Sequence, residues 1–106
     1  MSQIELRKQS GLQAIKGSYE AENAYWVDVV RPFITARKTE IPGSYWENET
    51  GTPSPSYSDI LELFMFKTYG NNELSFDYTF PANVTPYVIR VTFNTSDQIT
   101  GMVSAS

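Results

Sequence analysis

The feature that most constrains this chain is the strict alternation of apolar and polar residues at 73–80. Leu74, Phe76, Tyr78 and Phe80 take one side, and Glu73, Ser75, Asp77 and Thr79 the other. A period of two is the signature of a strand with one face buried. The pattern recurs at 87–94. There Tyr87, Ile89, Val91 and Phe93 oppose Val88, Arg90, Thr92 and Asn94, and the β-branched content favours strand over helix. Two prolines mark the intervening 81–86 as a turn, and residues 95–98, Thr-Ser-Asp-Gln, turn the chain again. Residues 99–106 read as a last, weaker strand with Ile99 and Val103 on one face. Gly70-Asn71-Asn72 reads as a three-residue hairpin connection.

Upstream of that hairpin, residues 58–69 are apolar on both faces when read as a strand. Leu61, Leu63 and Met65 face one way, and Ile60, Phe64 and Phe66 the other. A helix capped by Ser58 or Asp59 competes with this reading, but the strand gives 73–80 its hairpin mate. The simplest arrangement is therefore a curved antiparallel meander of about four strands over residues 58–104. A strand apolar on both sides needs cover on both. This assigns Leu61, Leu63, Phe64 and Phe66 to an oligomer interface.

The first half carries helical spacing at Leu12, Ile15 and Tyr19, and again at Trp26, Val30 and Phe33. It reads as a helical region over roughly 11–31, weakened or broken at Gly17 and ended or kinked by Pro32. Strands over 25–30 and 33–41 are the competing reading. The expected class is α+β, a helical N-terminal region packed on the sheet. An all-β small barrel or sandwich is the runner-up. The expected organisation is a single domain over residues 1–106, a size at which a core forms with a thin margin.

Residues 42–57 hold three prolines, two glycines and many hydroxyls, and read as a long loop. Within it Tyr45 and Trp46, with Tyr57 at its exit, make a candidate aromatic contact for a protein partner or a sugar. The competing reading has Trp46 folding back to plug the core. Arg37, with Arg31 and Lys38, is expected to form a small basic patch near the helix exit.

What the chain lacks excludes more than any motif suggests. It has no cysteine and no histidine, so thiolate chemistry, disulfides, Ser-His-Asp hydrolysis and His-dependent zinc sites are out. Residues 1–40 sum to +1 and residues 41–106 to −5, within a net charge of −4. That distribution argues against a nucleic-acid partner. No apolar run is long enough to span a membrane, and the charged N-terminal segment is unlike a signal peptide. The expected setting is therefore cytoplasmic or intracellular.

The carboxylates Glu47, Glu49, Asp59, Glu62, Asp77 and Asp97 include no spacing that converges two groups for catalysis or builds a calcium loop. A cross-strand Asp77–Arg90 pair is expected if the register allows it. Asn48, Asn83 and Asn94 begin Asn-X-Ser/Thr triplets that read as turn chemistry. No catalytic residue, metal ligand or cofactor is assigned. The leading expectation is a non-enzymatic interaction or assembly protein, homo-oligomeric or bound to another protein. A binding module for a carbohydrate or apolar small molecule comes second. A histidine-free enzyme using Asp or Glu comes third.

Overall fold

The computed structural model describes residues 2–70 and 72–106. Four α-helices precede a four-stranded antiparallel sheet of order β1-β2-β3-β4, an α+β fold with meander connectivity. The all-β alternative is excluded.

Helix α1 spans Gln3–Ala21. Ser2 caps it, its hydroxyl accepting from the Glu5 N–H at 3.1 Å. The helix runs through Gly17 without a break and ends at Glu22, whose φ of 49° is left-handed. It therefore starts earlier and ends sooner than the expected 11–31. Arg7, Gly11, Ile15 and Ser18 form its buried stripe at helical spacing. Gly11 is required by packing. A Cβ there would lie 2.2 Å from the Tyr78 hydroxyl, which donates to the Lys8 carbonyl at 2.7 Å. Glycine thus lets the helix backbone rest on the sheet.

The chain re-enters helix at Ala24, with the Asn23 side chain accepting from the Trp26 N–H. Trp26–Val30 is π-helical, and the Arg31 N–H bonds back to the Trp26 carbonyl, five residues earlier. Pro32 lacks an N–H to offer the preceding turn, and the wider turn before it accommodates that loss. The helix continues as α2, Arg31–Glu40. The segments that competed as strands, 25–30 and 33–41, are helical except for Ile41.

The segment expected to be a loop at 42–57 contains helix α3, Gly43–Thr50, closed by Gly51 at φ 87°. Residues 51–56 are irregular. The expected long strand over 58–69 divides in two. Its first part is helix α4, Tyr57–Leu61, and its last part is strand β1, Met65–Tyr69. A capping box at Ser56 and Asp59 starts α4, each side chain bonding the other's backbone N–H. The expected connection at 70–72 includes Asn71, which lies outside the described residues.

The alternating segments are strands. Strand β2 is Ser75–Thr79, β3 is Val88–Phe93 and β4 is Ile99–Ala105. But β2 is not half-buried as expected: Ser75, Asp77 and Thr79 on its polar face are buried too. Phe76, Tyr78, Phe80, Ile89, Val91 and Phe93 join Ile15, Val30, Phe33, Ile34, Trp46 and Ile60 in one core beneath the helices. Asp77 and Arg90 are paired in register on the opposite face. An irregularity at the Phe93 end of the β3–β4 ladder pairs Ile99 with Phe93, while Val103 pairs with Arg90. Ile99 and Val103 therefore lie on opposite faces, contrary to plain alternation. A bulge shifts side-chain parity in this way.

The helical layer is pinned at its N-terminal end. Arg7 Nε donates to Asp97 at 2.6 Å and Gln3 Nε2 at 3.2 Å, tying α1 to the β3–β4 turn. These bonds to Gln3 and Arg7 hold the Asp97 carboxyl below its ordinary pKa. Asn94 shapes the same turn, its side-chain oxygen accepting from the Ser96 and Gln98 N–H groups.

Candidate interaction surface

The four side chains expected to form a partner or ligand contact go to three places. Trp46 is 2% exposed and packs edge-on against Phe80 at 5.6 Å. It plugs the core, and its indole N–H has no hydrogen-bond partner among the described residues. Tyr45 is half-buried beside it, with ring centroids 5.2 Å apart, and its hydroxyl donates to the Pro81 carbonyl at 2.9 Å. Burial, helped by the Glu49 charge, pushes the Tyr45 pKa up to about 12.

Tyr57 is half-buried against Trp26, edge to face at 5.4 Å, with its hydroxyl 3.0 Å from that of Thr35. Arg37 is buried under Tyr87, its guanidinium carbon 4.1 Å from that ring and 5.1 Å from the Phe33 ring. One terminal nitrogen donates to Glu40 at 2.8 Å, and Nε has no partner among the described residues. Tyr45 and Trp46 are together, but the three loop aromatics make no common platform toward solvent.

The residues expected at an oligomer interface are also held inside. Leu61 and Phe64 are buried in the core, and Leu63 and Phe66 pack against it half-buried. Phe66 lies among Tyr69, Phe76 and Tyr78, with the Lys8 ammonium 4.4 Å from its ring centroid. The apolar excess of 58–66 is met largely within the chain.

Four of the six candidate carboxylates are engaged one by one. Asp77, 5% exposed, accepts a bidentate pair from Arg90 at 2.8 and 3.1 Å. Asp59 caps α4, Asp97 ties down α1, and Glu62 lies 3.6 Å from Lys16. Among the described residues, no three of Asp and Glu gather where a metal ion would sit. No helix among them is long and apolar enough to cross a membrane.

The two edges of the sheet differ in kind. Strand β1 is five residues long, and Lys67 is the extra residue where its register with β2 shifts between Phe66 and Thr68. A short edge, a bulge and a lysine are three recognised ways of blocking further strand addition. Strand β4 has seven residues, Ile-Thr-Gly-Met-Val-Ser-Ala, with no charge and no proline. It has a strand on one side only. Val103 on it is 54% exposed, the highest among the described exposed large hydrophobic residues. Sequence reasoning read β4 as the weakest strand. The usable signal was its lack of charge in a segment where every other strand carries one.

No protein-family model, no curated protein and no solved structure matches the chain.

Proposed function

We propose that this is a non-enzymatic assembly protein whose copies join through the open edge of β4. The observation that carries the reading is the contrast between an uncharged seven-residue edge and a short, bulged, lysine-bearing one. An exposed strand edge presents unpaired N–H and C=O groups that another strand satisfies. Two copies meeting β4 to β4 around a two-fold axis bring no charged side chains of that strand into opposition. Head-to-tail pairing of β4 with β1 of the next copy would propagate into fibres. The guarded β1 edge disfavours it, so the expected product is a closed dimer.

Native mass spectrometry and light scattering test the proposal. The expected mass is twice 12.0 kDa, persisting on dilution. Val103→Lys places a charge on the open edge at an already exposed position. It is expected to give a folded monomer with an unchanged circular dichroism spectrum. A wild-type protein that stays monomeric at high concentration overturns the proposal, as does a Val103→Lys variant that still dimerises.

A further inference from the structure

We infer that the cleft between β1 and the Pro81–Asn83 turn is a binding site for a small carboxylate with a short apolar tail. The cleft measures about 220 Å³, and Met65, Lys67, Thr79, Phe80, Pro81 and Asn83 are among its lining residues. Pockets for drug-sized molecules run to about 300–1,000 Å³, so the occupant here is smaller.

The lining divides by chemistry. Met65, 47% exposed, and the half-buried Pro81 supply an apolar wall, while the Phe80 ring is turned into the core. The Thr79 hydroxyl donates to the Tyr87 carbonyl, so it is not free to donate to a ligand. Lys67 is the only cation on the wall. It forms no ion pair among the described residues, although residues 41–106 contain seven carboxylates and only one other basic side chain. A free ammonium beside an apolar wall is complementary to a carboxylate on a short hydrocarbon.

Two further features shape the place. Lys67 is the bulged residue of β1, and bulges re-aim a side chain out of the regular alternation. Across the cleft, Ala82 and Asn83 both hold positive φ, 67° and 49°, without being glycine. The Tyr45 hydroxyl braces that turn through the Pro81 carbonyl. The Pro81 side of the wall is therefore presented by a turn held in an uncommon conformation.

Lys67 also guards the β1 edge, and the test separates the two roles. The experiment is a ¹⁵N–¹H correlation titration of the full chain with sodium hexanoate, with hexan-1-ol as the uncharged control. Hexanoate is expected to shift the amides of Lys67, Phe80, Ala82 and Asn83 saturably, and hexanol to bind at least about tenfold more weakly. Lys67→Met should weaken hexanoate by a similar factor, while Lys67→Arg retains it. Absent or unsaturable shifts overturn the inference. So does equal binding of acid and alcohol, or unchanged hexanoate affinity in Lys67→Met. A Lys67→Met variant that alters association but not hexanoate affinity leaves the lysine with the guard role alone.

Discussion

At the scale of single residues, two glycines of one helix have opposite meanings. Both weaken helix propensity, and the sequence offers no way to tell them apart. Gly11 faces the sheet, where a Cβ would meet the Tyr78 oxygen at 2.2 Å, whereas a Cβ at Gly17 meets nothing within 4 Å. Gly11→Ala must push Tyr78 off the Lys8 carbonyl or lift α1, and overpacking of this kind costs about 1–3 kcal/mol. Gly17→Ala removes backbone freedom from the unfolded chain at no steric cost and should stabilise by about 0.5–1 kcal/mol. Urea unfolding of both variants checks the pair, and the midpoints should move in opposite directions. The Asp77–Arg90 pair was more legible, because both residues sit on the polar side of alternating runs. Its geometry needed the register, and its burial needed the packing around it, neither of which a linear pattern contains.

At the scale of elements, legibility followed the source of stability. Strands β2 and β3 were read from alternation because each turns one apolar face into the core and the sheet imposes its period of two, although the polar face of β2 is buried as well. Helix α3 was missed because its composition, rich in Gly, Ser, Glu, Asn and Thr, favours loops. What fixes it is tertiary, Trp46 inserted against Phe80 and Tyr45 bonded to Pro81. A helix where α4 lies was weighed and set aside, because five residues of helix inside an apolar run look like strand. Its capping box begins at Ser56, two or three residues before the Ser58 or Asp59 considered as caps.

Trp46→Ala should therefore destabilise the whole protein by about 3–5 kcal/mol, the range for a large buried aromatic. It should also release α3 first, seen as loss of hydrogen-exchange protection at 46–50. Trp46→Phe keeps most of the packing and removes the unpartnered indole N–H, so it should cost much less. If the two variants are equally mild, Trp46 does not anchor α3.

At the scale of the whole molecule, charge decides how two copies approach. Each carries −4, with the negative excess in residues 41–106, the part that contains the sheet. Dimers formed through the uncharged β4 edge must bring these negative halves together without ion pairs on the joining strands to offset the repulsion. The barrier is long-range, and salt screens it. Raising the salt from roughly 0.01 M to roughly 0.1 M shortens the Debye length from about 30 Å to about 10 Å. Association through β4 should therefore tighten several-fold over that interval, mainly through a faster on-rate. Analytical ultracentrifugation across the salt series reads the dissociation constant directly. An interface built instead on the basic residues of the helical half, Arg31 and Lys38, against the acidic sheet of a neighbour would respond with the opposite sign. Weakening with salt would therefore remove β4 as the joining edge even if the protein proved dimeric. Tightening that is lost in Val103→Lys would tie the salt response to the strand itself.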